Sequence, residues 1–282
     1  MKNLVFILIT IALVSCKKTI TVEAPLPSQT LTDISYGSDA AQKMDIYLPA
    51  GRSSDSTKLM VLVHGGGWNA GDKADFSSSL TSLQLKFPKY AIANINYRLA
   101  TITSNHFPAQ ENDMKSAVDY LVEKSGDYHI AQKIVLVGAS AGAHMALLQA
   151  YKYSSPKIKA VVDFFGPTDM ADLHNFYGPG SVNQNAIQIL MNGSPNSNSV
   201  LYKNSSPINY VTSQSSPTIV FHGATDNVVP IAESVLLSIK LSSVGVANEL
   251  IRYPNVGHEV WSLPIMNEAF TKIDSFLSAN VR

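Results

Sequence analysis

The chain has 282 residues, 45% of them hydrophobic, enough to bury the core of one large α/β domain. Its 21 basic and 21 acidic side chains balance to a formal net charge of zero and form no block of either sign, which argues against a nucleic-acid partner, since phosphate binding draws on clustered Lys and Arg. The single cysteine, Cys16, excludes an intrachain disulfide, and the seven histidines include no H-x-x-x-H pair, so neither a metal site nor any cofactor is indicated.

In chain order, Lys2 precedes an apolar run over residues 4–14. That run is about half the length needed to cross a bilayer. A charged start followed by a short apolar stretch fits a secretory signal. The run ends in Leu13-Val14-Ser15-Cys16, which resembles the lipobox of bacterial lipoproteins. The resemblance implies cleavage before Cys16, lipidation of Cys16, and an exported protein held on a bacterial cell membrane by that lipid, at the outer membrane or cell surface. An ordinary cleaved signal peptide is the other reading. Residues 1–15 are then the signal peptide. Residues 16–30, with Pro25 and Pro27 and no periodicity, form the lipidated cysteine and a tether. Residues 31–282 form one folded domain.

Within that domain, residues 31–36 and 43–48 alternate apolar with polar and predict an antiparallel hairpin. Residues 58–63 predict a buried strand that runs into His64-Gly65-Gly66-Gly67-Trp68. A helix over about 75–87, a strand at 90–97 and a helix over about 110–124 follow, the last with Met114, Val118, Leu121 and Val122 on one face. The β-branched run from Lys133 predicts another buried strand, and the Ala/Leu/Met-rich run after Gly142 predicts a helix. Strands at 158–165, 218–221 and 248–253 and helices at 230–243 and 264–279 complete the set. Such alternation predicts an α/β fold with a mostly parallel sheet covered by helices on both faces. Residues 167–216, rich in Asn, Ser, Gly and Pro, break the rhythm. They are expected to form short helices beside the site, or else a surface insertion without a role there.

The chemistry centres on Gly138-Ala139-Ser140-Ala141-Gly142. A serine between two glycines at a strand-to-helix turn has its hydroxyl pushed outward, close to the amides that open the helix. It is either a nucleophile elbow or a glycine-rich connection with a solvated serine. Hydrolysis by a serine also needs a base, an acid to orient the base, and donors for the oxyanion. His258, in Val256-Gly257-His258 after the last strand, is the histidine best placed to serve as base. His144, one turn along the elbow helix, is expected to pack beside the nucleophile, and His222 to satisfy backbone groups. Asp226, in Gly223-Ala224-Thr225-Asp226-Asn227, is either the acid or a turn former. Asp169 is its competitor. The order Ser140, Asp226, His258 is that of an α/β-hydrolase triad and favours Asp226. The amides of Gly66, Gly67 and Ala141 are the candidate oxyanion donors.

Taken together, His64-Gly65-Gly66-Gly67-Trp68, Asn96-Tyr97-Arg98-Leu99-Ala100, His106-Phe107-Pro108-Ala109 with Asp113, Gly138-Ala139-Ser140-Ala141-Gly142-Ala143-His144, His222-Gly223-Ala224-Thr225-Asp226 and Gly257-His258 form one ordered set. It resembles the esterase/lipase group of α/β-hydrolases with the H-G-G-G oxyanion motif, the hormone-sensitive-lipase-like carboxylesterases. The Ser-Ala-Gly-Ala-His run is closer to small secreted acetyl-xylan and feruloyl esterases and to arylformamidases. The resemblance implies an α/β-hydrolase fold with an eight-stranded sheet. It assigns the triad to Ser140, Asp226 and His258 and the oxyanion hole to Gly66, Gly67 and Ala141, with the amide of Trp68 as a further donor. Arg98, in Asn96-Tyr97-Arg98, is read as holding loops by hydrogen bonds, with substrate contact as the other reading. No large cap domain is expected, which favours an open site and small acyl esters over large lipids. The expected function is a serine carboxylic-ester hydrolase acting on acetyl or feruloyl esters, including those on polysaccharide. Formamide or amide hydrolysis by the same triad, and a non-catalytic surface binding protein, are the alternatives.

Overall fold

The computed structural model describes residues 24–258 and 261–281. The signal sequence and the lipidation expected at Cys16 lie outside the described residues. Among the described residues no helix is long and apolar enough to cross a membrane.

The elements follow the alternation of the sequence. They are β1 (Gln29–Ser35), β2 (Lys43–Leu48), β3 (Lys58–Val63), α1 (Ser77–Lys86), β4 (Tyr90–Ile95), α2 (Ala109–Glu123), β5 (Ile134–Ala139) and α3 (Ala141–Lys152). After these come β6 (Ala160–Phe164), α4 (Met170–Phe176), α5 (Val182–Leu190), α6 (Ser199–Asn204), β7 (Thr218–Gly223), α7 (Ala232–Ser243), β8 (Asn248–Tyr253) and α8 (Leu263–Asn280). The predicted helix at 75–87 begins instead as a 3₁₀ turn over Lys73–Phe76, where Asp72 and Asp75 form a reciprocal cap. The segment 167–216 forms α4, α5, α6 and a 3₁₀ turn at Pro207–Tyr210. The end of the stretch read as a tether lies on the domain, because the Leu26 carbonyl accepts from the Gly51 amide at 2.8 Å and β1 already begins at Gln29.

The eight strands lie in the order β1-β2-β4-β3-β5-β6-β7-β8. β1, β2 and β4 pair antiparallel, and every pair from β4 through β8 is parallel. Alternate residues of the central strands serve opposite faces. Leu59, Val61, Val63, Ile134 and Leu136 join one core cluster beneath α2, α3 and α7. Met60, Leu62, Val135 and Val137 join the other, with Phe270, Ile273 and Leu277 of α8. That double cover is why these strands are apolar at every position rather than at every second one. It also brings the carboxyl ends of β3, β5, β6, β7 and β8 to one rim, where an open parallel sheet presents its ligand crevice.

One buried polar cluster ties this rim to the antiparallel edge. Asp113 of α2, fully buried, accepts from the Arg98 amide at 2.8 Å, from the Arg98 guanidinium at 2.6 Å and from Gln42 Nε2 at 2.7 Å. Arg98 thus holds loops together, as its motif suggests. Deleting the carboxylate leaves a partly buried guanidinium and an amide without an acceptor. We expect Asp113→Ala to lower the unfolding free energy by about 3 kcal/mol, the low end for a broken buried pair because Arg98 keeps some water. The urea denaturation midpoint measures this, and an unchanged midpoint would contradict the assigned role.

Candidate active site

The turn between β5 and α3 is as tight as the glycines at 138 and 142 require. A Cβ on Gly142 would lie 2.1 Å from the Val63 carbonyl oxygen, and one on Gly138 would lie 2.4 Å from the amide nitrogen of Ala143. Ser140 between them takes φ 53° and ψ −119°, a backbone state that a non-glycine residue adopts at a cost of about 1–3 kcal/mol. It is held there by its amide, which donates to Phe164 O at 2.8 Å, and by its carbonyl, which accepts from the His144 amide at 3.0 Å. The side chain caps no helix and is turned to the rim.

There Ser140 Oγ–H donates to His258 Nε2 at 2.9 Å, and His258 Nδ1–H donates to Asp226 Oδ2 at 2.7 Å. The three side chains singled out from widely separated positions therefore form one hydrogen-bonded chain. Asp226 proves to be turn former and imidazole partner at once. Its Oδ1 accepts from the amides of Val228 at 2.8 Å and Val229 at 2.9 Å, leaving Oδ2 for His258. Burial by itself would raise this carboxyl. Hydrogen bonds from His222 and His258 and the amides of the turn outweigh burial and hold it well below the usual carboxylate range. Asp169 is elsewhere: it caps α4 through the amides of Ala171 at 2.9 Å and Asp172 at 3.2 Å.

Three further histidines, His64, His144 and His222, are buried framework. His144 accepts from Trp68 Nε1–H at 3.2 Å and donates Nε2–H to Ser205 O at 2.6 Å, linking the elbow helix to the glycine loop and to the segment after α6. Burial pushes its imidazole down to about 4, so it stays neutral and can serve as acceptor and donor together. His222 donates to Val229 O at 2.9 Å and accepts from Ser234 Oγ–H at 2.7 Å, as a backbone-satisfying role predicts, and its Nε2 also lies 3.3 Å from Asp226 Oδ2. His64 stacks on Tyr97 with ring centroids 4.3 Å apart and donates Nδ1–H to Gly65 O at 2.8 Å. Tyr97 OH lies within reach of both His64 O, at 3.1 Å, and Gly65 O, at 3.0 Å.

With those carbonyls engaged, the loop turns through three left-handed residues, Gly66 at φ 97°, Gly67 at φ 58° and Trp68 at φ 62°. Gly66 admits no side chain, since a Cβ there would lie 2.2 Å from Ala70 O. The amides of Gly66 and Gly67 donate to no acceptor among the described residues. The amide of Ala141 opens α3, where no intrahelical acceptor exists. Gly66 and Gly67 border the cavity that holds Ser140 and His258, whose volume is about 640 Å³. Its far wall comes from the segment 167–216, with Leu173 and Tyr177 at α4 and Ala186 and Ile187 on α5. That segment is therefore part of the site, as a small rim rather than a cap domain.

Two contributors carried no distinct mark in the sequence. Phe165, at φ 47°, lays its ring against His258 with centroids 4.6 Å apart. Glu233 of α7 accepts from the amides of Thr168 at 2.9 Å and Asp169 at 2.8 Å and so fixes the strand-to-loop corner that carries Phe165. The only local cue was Gly166-Pro167, a turn signal directly after the strand. Among the described residues, no group of three or more His, Cys, Asp or Glu side chains is gathered as metal ligands.

Comparison with known proteins gives consistent relatives. The chain is 28% identical over 245 residues to esterase LipQ of Mycobacterium tuberculosis, covering 80% of this chain and 56% of LipQ. It thus spans about half the length of the curated relatives it matches. Among solved structures, a bifunctional GH43-CE protein of Bacteroides eggerthii superposes with a TM-score of 0.77 at 28% identity, covering 89% of this chain and 38% of that one. A truncated carbohydrate esterase from gut microbiota superposes at 0.74 with 26% identity, covering 88% of this chain and 97% of the other. The fold they share with this chain is the α/β-hydrolase fold. The BD-FAE family model matches residues 44–241, from β2 into α7 and through both the serine elbow and the Asp226 turn, and the chain belongs to that family.

Proposed function

We propose that the chain is a serine carboxylic-ester hydrolase in which Ser140, His258 and Asp226 act as the triad and the amides of Gly66, Gly67 and Ala141 bind the oxyanion. The observation that carries this reading is the unbroken path from Ser140 Oγ through His258 to Asp226 Oδ2, next to unpaired amides. His258 Nε2 takes the serine proton as Oγ attacks the acyl carbon, and Asp226 fixes the tautomer that leaves Nε2 free to accept. The carbonyl oxygen gains charge among donors that need no reorganisation, an arrangement worth about 10²–10³ in rate per donor. The imidazolium returns its proton to the departing alkoxide, leaving Ser140 acylated. Water, deprotonated by the same nitrogen, then releases the acid and restores the serine.

Small acyl esters, acetyl or feruloyl and including those on polysaccharide, are the proposed substrates. The short rim formed by α4 and α5, in place of a cap domain, supports a site open to bulky alcohols, and the carbohydrate-esterase neighbour supports a polysaccharide context. Anchoring through a lipidated Cys16 belongs to the same proposal and would hold the enzyme beside extracellular polymer.

We expect Ser140→Ala to cut hydrolysis of a short p-nitrophenyl ester by about 10⁶ in kcat and to abolish labelling by a fluorophosphonate, with an unchanged circular dichroism spectrum. Comparable turnover by that variant would remove the proposal. N-formyl aryl amides assayed beside esters of the same size separate ester from formamide hydrolysis.

Asp226 links activity to stability. Because its folded-state value lies below the ordinary carboxylate value of about 3.9, its ionised form contributes stability that is fully present above that value. The contribution is lost as pH falls through the lower folded-state value. Asp226→Asn is expected to lower kcat by about 10⁴ at neutral pH. Its melting temperature should fall below the wild type at pH 7 and converge with it as the pH drops below 4. A gap that widens on acidification would contradict the assigned linkage.

A further inference from the structure

The reaction as derived leaves one fully buried titratable group beside the triad without a part. Asp163, near the end of β6, lies between Gly138 of β5 and Val220 of β7 in the sheet and has no exposed surface. Its Oδ1 accepts from the Gly166 amide at 2.7 Å, and its Oδ2 has no hydrogen-bond partner among the described residues. Burial pushes the carboxyl up to about 7, against the pull of the Gly166 amide and of His222 and with the Glu233 charge adding to the rise. An apolar side chain of similar volume would avoid that desolvation. What the acid supplies instead is an acceptor for one backbone amide.

That amide closes a corner, residues 164–166, which touches both ends of the Ser140–His258 pair. Phe164 O accepts from the Ser140 amide at 2.8 Å, one of the bonds that hold the outlying backbone of the serine. Phe165, at φ 47°, donates its amide to Phe221 O at 2.9 Å and lays its ring against His258, with centroids 4.6 Å apart. Gly166 packs so closely on the elbow helix that a Cβ there would lie 2.6 Å from Ala143 Cβ. Three successive residues thus meet the serine, the imidazole and the first turn of α3. A left-handed aromatic residue is unfavourable by itself. The Asp163 bond spans the corner, joining the residue two before Phe165 to the amide just after it.

The geometry points to Asp163 as a positioning residue for the hydrolysis: by fixing the Gly166 amide it sets the corner that holds Ser140 and His258 relative to one another. This rests on the reading of Ser140 as nucleophile and His258 as base. The Asp163 carboxyl hydrogen-bonds to neither of them and acts through the corner alone. Glu233 holds the Thr168 and Asp169 amides further along the chain, whereas Asp163 acts where the chain leaves the sheet. A misplacement on the order of 1 Å between reacting groups costs about 10²-fold in rate, so one backbone bond at this corner is enough to register in turnover.

The test measures kcat and KM for p-nitrophenyl acetate at pH 6 on the full chain, for wild type, Asp163→Asn and Asp163→Leu. Active sites are counted by fluorophosphonate titration run to completion, so that unfolded protein does not enter kcat. Asparagine keeps an uncharged oxygen acceptor for the Gly166 amide. Leucine fills the volume and removes the acceptor, and Asp163→Ser, which shortens the side chain, takes its place if the leucine variant does not fold. We expect kcat per site to fall by about tenfold or more without the acceptor, with KM changed by less than about threefold, and the asparagine variant to keep both within about twofold of the wild type. Loss of packing alone would lower the melting temperature and the number of titratable sites and leave kcat per site unchanged. Wild-type kcat per site in the variant without the acceptor, or an asparagine variant as slow as that one, overturns the assignment while leaving the hydrolase reading intact. A wild type that does not turn over the ester overturns that reading and the assignment with it.

Discussion

The site depends on how closely two neighbouring parallel strands approach one another at their carboxyl ends. β3 delivers the glycine loop and β5 delivers Ser140, and the backbone of Gly142 passes so near the Val63 and His64 carbonyls that a methyl group at 142 would overlap both. Bare backbone at that point keeps the unpaired amides of the loop and the first amide of α3 around one volume. A methyl there would push the elbow helix from β3 and separate the donors from the hydroxyl. The strain carried by Ser140, about 1–3 kcal/mol, is sustained because the sheet on both sides is fully covered and cannot relax around it.

The second half of the constellation arrives by a different route. β7 and β8 are adjacent parallel strands, and the loops that leave them are joined by backbone bonds from Ala224 N to Tyr253 O at 2.9 Å and from Thr225 N to Val256 O at 3.1 Å. Asp226 and His258 are thereby placed relative to one another before either touches Ser140. The Asp226 turn uses one carboxylate oxygen on its own backbone and leaves the other for the imidazole, so local turn chemistry and the hydrogen-bond chain reinforce each other. Phe165 closes the third side of the imidazole, and Glu233 fixes the corner from which it projects.

Much of this was legible in the sequence because each part leaves a local chemical trace. The strands were visible as apolar β-branched runs, the elbow as glycines flanking a serine, and Asp226 and His258 as polar residues in turns after strands. The β8 strand was found at 248–253 at the same bounds, whereas the strand read at 158–165 proved to be Ala160–Phe164, because Phe165 leaves the sheet with a positive φ that no residue type announces. The helices of 167–216 were foreseen only in kind. Their apolar positions face the cavity and the elbow helix in short pieces, so no stretch is long enough to show a period of 3.6. The role of Glu233 was hidden for a related reason: a lone acid in the first turn of a helix reads as a dipole partner, and only the fold brings it to the Thr168 and Asp169 amides.

Residue type alone does not distinguish the histidine that meets the serine from His64, His144 and His222, which do not. His64, His144 and His222 are all buried and hydrogen-bonded at one or both ring nitrogens, and burial lowers the imidazoles of His64 and His144. A ring so enclosed, with its nitrogens committed to neighbouring groups, links segments of chain. The side chain of His258 keeps 17% exposure, borders the cavity, and has one nitrogen committed to Asp226 and the other to Ser140. The same packing that encloses His64, His144 and His222 leaves His258 at the wall of the cavity, and the difference follows from the depth at which the sheet places each of them.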